Sequence, residues 1–413
     1  FIVNSGATLT VDGYRDANGN RVFGNVEEVA FRLATGSELL VKVELTVSGE
    51  VTAEANSTIT VNAVGKAEFN GSFASGGLIT GFGDVVFNGA VTNYITDSTG
   101  LVHEGNIIMQ GDDSTVTYGV NAGSVLFAGT YIHLVVNNAA SVGNVEIAGS
   151  LSGTGSVTFN GTTAGKATVK SSDGENGKGT LSVTYNATAE TVYGGTYSDL
   201  TIVGDHIVNR NNEEVLKITV DGAMSISGGS SSSPVTLTLN NTELTFNGML
   251  NNTDSAEIAV SGKLGVVTYH YEGYNTQDIY SGSYRDLVIE SEFAALSIAR
   301  LNLSGTLSGA GTLIITTSAT GDNGRVVANK EGKFLSVSYG DGVLSGFFGG
   351  DYQNLSISGA GDKTISNDIV VHGDVFAMGS FRGQGNLEFM GRILGSATFG
   401  TGTAAYAGSV TYS

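Results

Sequence analysis

The chain has 413 residues, 61 of them glycine, with one proline (Pro234), no cysteine, no tryptophan and a formal charge of −20 from 39 acids against 19 bases. Without cysteine there is no disulfide framework and no thiolate metal site; without a basic stripe, nucleic acid is not an expected partner; glycine is too irregularly placed for collagen. No apolar run approaches the roughly 18 residues a spanning helix needs, so no membrane insertion is expected.

Residues 1–60 read as a divergent N-terminal β segment. Ala7-Thr8-Leu9-Thr10-Val11 and Leu40-Val41-Lys42-Val43-Glu44-Leu45-Thr46-Val47 alternate with period two, the mark of strands. Between them, Asp12 to Asn20 is turn-rich. Glu27 to Leu40 comes nearest to a helix, without sustained helical spacing. Asp16-Ala17-Asn18-Gly19-Asn20 with Glu27 touches the calcium-loop pattern, but Arg21 stands where that loop needs glycine, so a solvated turn is expected.

Residues 61–413 read as a repeat array. One motif is Gly77-x-Ile79-x-Gly81-x-Gly83-x-Val85-x-Phe87, which returns at Gly149 to Phe159, Gly305 to Ile315 and Gly379 to Phe389. A second is aromatic-x-Gly-x-Tyr-x-x-Leu-x-(Ile/Val), with its tyrosine at Tyr131, Tyr197, Tyr284 and Tyr352; a worn copy sits at Val22 to Phe31. A third, Val-(Thr/Ser)-Tyr, ends at Tyr118, Tyr185, Tyr269 and Tyr339, always a short and nearly constant distance before the second, and recurs at Val410-Thr411-Tyr412. The tyrosines of the second motif are 66, 87 and 68 residues apart, giving a unit of about 70 residues with junctions near 118, 185, 269, 339 and 412. Between Tyr197 and Tyr269 the Gly-x-Gly motif is replaced by Gly228-Gly229, a serine run and Pro234 at a strand entrance. The first residue, Phe1, and the break at Ser413 inside a repeat are expected of a processed or excised piece of a longer array.

Short strands, glycine corners and no helices predict an all-β fold, a parallel β-helix with coils of roughly 20 to 25 residues and about three coils per unit. Asn137-Asn138, Asn211-Asn212, Asn240-Asn241 and Asn251-Asn252 are candidates for stacked turn positions. Tyr352 lies an odd three residues before Leu355, so a bulge near Gly350 is needed to turn both inwards, with the phenol tip kept for a backbone partner. The alternative fold is tandem β-sandwich modules of about 70 residues, small for independent cores.

Candidate chemistry is thin. Gly153-Thr154-Gly155 and its relatives lack a following helix, so they read as corners and not as nucleotide-binding glycines. His103, His133, His206, His270 and His372 share no ligand spacing. Asp173 to Gly177 and Gly321 to Gly324 read as acidic loops. No catalytic, cofactor-binding or metal-binding residue is assigned, and no cofactor is expected. The rival is a polysaccharide-active enzyme with clustered acids on one face of the β-helix. A carbohydrate-binding module is a third reading, with Tyr14, Tyr94, Tyr271 and Tyr274 as sugar-stacking candidates.

The run Tyr352-Gln353-Asn354-Leu355-Ser356-Ile357-Ser358-Gly359-Ala360-Gly361-Asp362-Lys363-Thr364-Ile365, continued by Val370-Val371-His372-Gly373-Asp374-Val375, resembles a repeat of very large secreted surface proteins of the Bacteroidetes. The likeness runs from about residue 116 to the end and is poor before residue 60; the copies at Tyr197 and Tyr284 lack the Gly-x-Lys-Thr portion. It implies export, a cell-surface or extracellular place and an adhesive or scaffolding role. It also implies O-glycosylation at triplets such as Asp97-Ser98-Thr99, Asp113-Ser114-Thr115 and Asp254-Ser255-Ala256. The expectation is therefore a non-catalytic, secreted structural segment of an adhesin or fibre. Its expected partners are further repeats or copies of itself, assembled end to end, and glycans.

Overall fold

The computed structural model describes residues 2–4, 6–11, 14–15, 21–22, 25–26, 31–123, 125–171, 178–209, 214–251, 255–262, 264–321, 323–399 and 408–413. Among them there is no α-helix, and the chain winds as a parallel β-solenoid of about 18 turns. It divides into two compact units, Phe1–Leu200 and Thr201–Ser413.

In the first unit each turn has three sides. The first side stacks Ile2–Val3, Phe31–Leu33, Val51–Ala53, Phe73–Ser75 and Val91–Thr92 in parallel register. The second stacks Thr8–Val11, Glu38–Val41, Thr58–Val61, Leu78–Gly81 and Asn106–Met109, then 128–131 and 145–147. The third stacks Glu44–Val47, Lys66–Phe69, Asp84–Phe87 and Thr115–Tyr118, then 133–136, 150–152 and Thr168–Val169. Glu38, Thr58 and Leu78 stand in register, one even step to each turn. The step from Leu78 to Asn106 is longer, because an antiparallel hairpin, Tyr94–Thr96 with Val102–Glu104, is inserted there. What repeats in the pairing is the single turn.

The second unit is wound in the same way. Leu216–Val220, Thr242–Phe246 and Val266–Tyr271 stack on one side, and Val235–Asn240, Ala256–Ser261 and Ser281–Tyr284 on another. Asp286–Leu303 and Thr306–Thr320 each run round three sides, pairing with each other through register shifts at Glu290/Ala295 and Ile298/Arg300, where the corners fall. These are coil-to-coil parallel ladders, so the tandem-sandwich alternative is overturned: a sandwich would pair strands antiparallel within each module.

Period-two alternation places the core. In Lys66–Phe69, Ala67 and Phe69 are buried while Lys66 and Glu68 face out, and each fully buried Val, Leu, Ile or Phe contributes about 1.5–3 kcal/mol. Like stacks on like along the turns: Phe69 on Phe87 at 5.6 Å, Phe87 on Tyr118 at 5.1 Å, Phe159 on Tyr185 at 5.2 Å and Phe246 on Tyr269 at 4.8 Å between ring centroids. The asparagine ladder lies beside these rings. Asn88 Nδ2 donates to Asn70 Oδ1 at 2.8 Å, and Asn186 to Asn160. Each follows an inward Phe or Tyr, a Phe-Asn or Tyr-Asn signal that the doubled asparagines do not capture. Of those, Asn241 takes a positive φ of 41° and Asn137 caps Thr154, while Asn211, Asn212 and Asn252 lie outside the described residues.

One sequence expectation is corrected. Leu40 to Val47 is not one strand but two sides, Glu38–Val41 and Glu44–Val47, with a corner at Lys42-Val43. The helix-like stretch Glu27 to Leu40 contains the strand Phe31–Leu33 and the start of Glu38–Val41; residues 27–30 lie outside the described residues. Pro234 does open a strand, Val235–Asn240, after a turn in which Ser230 and Ser233 exchange backbone hydrogen bonds of 3.0 Å.

Candidate functional site

The motifs that recur most meet inside the solenoid. Gly350 has φ +106°, which turns Tyr352 inwards beside the strand Leu355–Ile357, and both Tyr352 and Leu355 are buried. A Cβ at Gly350 would lie 2.0 Å from the Val326 carbonyl oxygen of the preceding turn, so only glycine fits the bulge.

The tyrosine so placed reaches the Val-(Thr/Ser)-Tyr tyrosine. The hydroxyls of Tyr118 and Tyr131 are 3.1 Å apart, those of Tyr185 and Tyr197 3.2 Å, Tyr269 and Tyr284 2.9 Å, and Tyr339 and Tyr352 3.2 Å. In the first bracket the Phe127 N–H donates to Tyr118 Oη at 3.3 Å, and Tyr131 O–H donates to the Phe127 carbonyl at 2.6 Å. With those two bonds set, Tyr118 is the donor to Tyr131, and the circuit closes on one residue's own amide and carbonyl. Tyr193 and Phe348 are held identically by their pairs, and the Tyr280 carbonyl accepts from Tyr284. Burial pushes all eight phenols above the ordinary range. Within the first unit Tyr131 lies on the second side and Tyr197 on the third.

Tyr131→Phe removes one hydroxyl and leaves the Phe127 carbonyl and the Tyr118 O–H without partners in a dry interior. It should cost about 1–3 kcal/mol, read as a lower denaturant midpoint with unchanged m. A midpoint equal to that of the parent would contradict the closed circuit.

Around the corners, a polar residue just before the motif's leucine clamps a neighbouring turn. Asp286 Oδ1 accepts from Thr306 N at 2.8 Å and Oγ1 at 2.7 Å, Asn354 Oδ1 accepts from Asp374 N at 2.8 Å, and Asp199 accepts from Ser182 Oγ at 2.7 Å. His133 holds the same place. Its Nε2–H donates to the Asp112 carbonyl at 3.1 Å, which leaves Nδ1 to accept from Ser150 Oγ at 2.9 Å. That geometry is a nucleophile-and-base pair on its face, yet its counterparts Asp286–Thr306 and Asn354–Asp374 show the place serving as a corner clamp.

The other histidines are dispersed. His103 Nε2 lies 2.9 Å from Asp97 in the hairpin, His206 is buried with Nδ1 3.2 Å from the Gly204 carbonyl, and His270 lies 3.8 Å from Glu272. His372 stacks on Phe334 at 4.3 Å and meets Asp351 at 3.2 Å. Among the described residues no three metal-ligand side chains come together. The calcium-like residues 16–20 and Glu27, the loop 172–177, Asp322 and Asp254 lie outside the described residues, as does the Tyr14 side chain. Lys363, from the Gly-x-Lys-Thr portion, is fully buried; its ammonium donates to the Gly359 carbonyl at 2.6 Å and the Gly361 carbonyl at 3.3 Å, and desolvation lowers its pKa. Ser114 is buried too, so its triplet is closed to a sugar in the folded chain, whereas Ser98 is exposed at the hairpin tip.

The outer surface of the first unit carries an open groove of about 500 Å³ on the second side. Its polar residues, Glu104, Asn106, Thr130, Asn144, Glu146 and Thr162, come from successive turns, and small residues between them are Gly105, Ala128, Gly129 and Ala164. In the second unit Tyr274, 80% exposed, stacks on Phe293 at 5.0 Å. Compared with protein-family models, with curated proteins and with solved structures, the chain matches none.

Proposed function

We propose that the chain is a non-catalytic, extracellular structural segment of a large surface adhesin or fibre, continued by further repeats or by end-to-end association. The observation that carries this reading is the fourfold tyrosine bracket: the residues that recur most are directed inwards and braced on their own backbone. Its unit is the long sequence repeat, laid down within each compact unit as three turns and one side. This fits the step from Tyr131 on the second side to Tyr197 on the third, and the like step from Tyr284 to Tyr352 in the second unit. Solenoids whose turns touch only their neighbours suit extended load-bearing roles.

Pulling the chain from its ends in a single-molecule instrument should release contour length in steps of about 70 residues, or roughly 240 Å at 3.3–3.6 Å per residue. Antibody raised against it should label intact source cells. Steps of single turns would sink the long unit, and labelling only after lysis would sink the extracellular placement. The second reading, a polysaccharide-active enzyme, is favoured by Glu104 and Glu146 sharing one groove; release of reducing ends from polysaccharide, lost in Glu146→Gln, would establish it in place of the first.

A further inference from the structure

We infer that the groove on the second side of the first unit binds an uncharged, hydroxyl-rich glycan chain, with Tyr94 as its stacking platform and Glu104 and Glu146 as hydrogen-bond acceptors. Several acids among the described residues are engaged with cations: Glu54 with Arg32, Glu68 with Lys66, Glu257 with Arg300, Asp374 with Arg392. Glu104 and Glu146 have no cationic or hydrogen-bonding side-chain partner among the described residues, although both line the same groove. Asn106 and Asn144 use their Oδ1 atoms on Ile107 N and on Thr162. Their Nδ2 groups have no partner among the described residues and remain as donors beside those acceptors.

The shape suits a sugar ring. Gly129 at φ +136° and its neighbour Ala128 keep the floor flat, and a Cβ at Gly129 would lie 1.9 Å from the Ile107 carbonyl oxygen. Thr130 pairs with Glu146, so two polar groups stand one inter-strand spacing, about 4.8 Å, apart, while Asn106 pairs with the small Ala128 of the floor. The rim is supplied by the inserted hairpin, where Tyr94 lies directly opposite Glu104 on the exposed face, with Cβ atoms about 5 Å apart. The hairpin is braced by Asp97, whose Oδ1 accepts from Thr99 N at 2.9 Å, Thr99 Oγ1 at 2.6 Å and Leu101 N at 3.0 Å. Two unpaired carboxylates repel an anionic ligand, two ligating side chains are too few to cage a cation, and the polar walls disfavour an apolar one. A polyol that donates to carboxylates, accepts from amides and stacks an apolar ring face on a phenol meets all three conditions.

The full chain should be titrated with cellohexaose, maltohexaose, mannohexaose and xylohexaose by isothermal titration calorimetry. At least one should bind with a sub-millimolar Kd. Tyr94→Ala and Glu146→Gln should each weaken that binding about tenfold, while Tyr274→Ala leaves it unchanged. The substituted side chains are exposed, and melting temperatures equal to the parent's will confirm that the fold is intact. Failure of all four oligosaccharides to bind would overturn the inference. So would binding that survives both groove substitutions, or calcium binding that is lost in Glu104→Gln.

Discussion

Raising the pH from about 9 to about 12 should unfold the chain in one steep step. Ten phenols, those of the four brackets together with Tyr193 and Tyr280, are pushed above the ordinary range, chiefly by burial, with Tyr339 pushed up to about 12. The charged form is the one the fold disfavours, so the folded pKa lies above the unfolded value near 10. Below about pH 10 both states hold the proton and the contribution is complete. Above it the unfolded chain releases protons that the folded chain retains, and stability falls by up to about 1.4 kcal/mol per pH unit for each tyrosine. Ten such groups give a limiting slope on the order of 10 kcal/mol per unit, enough to exceed the stability of most domains within one or two units. Near-ultraviolet phenolate absorbance and the far-ultraviolet sheet signal should therefore change together. Ionisation of all 16 phenols near pH 10 with the sheet signal intact would show the buried tyrosines to be accessible.

The second large effect is expected at the middle glycine of the Gly-x-Gly motif. Gly81, Gly153, Gly309 and Gly383 all have φ between +131° and +135°, and an added Cβ would stand 2.0, 1.9, 1.8 and 1.8 Å from a carbonyl oxygen of the turn before. At Gly309 that oxygen belongs to Ile289, which is fully buried backbone with nowhere to move. Gly309→Ala combines a backbone conformation that L side chains avoid with a contact that forces two turns apart, so a loss of about 3 kcal/mol or more is expected. Because each turn rests on its neighbours, the damage should appear in hydrogen exchange as lost amide protection over 286–291 and 306–309. Gly332→Ala is the control: it also has positive φ, +76°, but no atom lies within 4 Å of its added Cβ, and it should cost only about 1 kcal/mol. Equal effects at the two positions would mean that the turns are not in contact at Gly309.

The β-solenoid was legible because alternation and glycine corners are local signals. The corners themselves were not always so. Val41, Val43, Leu45 and Val47 are all buried; the alternation runs unbroken through the bend, and nothing in Leu40 to Val47 marks where one side ends. The inward turn of Tyr352 was readable from its odd offset to Leu355, and so was its backbone partner. That Tyr339 and Tyr352 would close on each other was signalled only by the nearly constant separation of such pairs, which periodicity does not interpret. The groove had no signal: Glu104, Asn106, Thr130 and Glu146 belong to three turns and a hairpin, and each is an unremarkable outward residue in its own strand.

Because the bracket advances by one side between the two copies within each unit, those two copies do not face the same way. In the first unit a feature carried beside Tyr131 and one carried beside Tyr197 point in directions about a third of a revolution apart, and the same holds for Tyr284 and Tyr352 in the second. Within a unit, loops added at one place in the motif would therefore project from different flanks. A partner that lies flat along one flank of a unit touches only one of them, so avidity from successive copies requires a partner flexible enough to wrap.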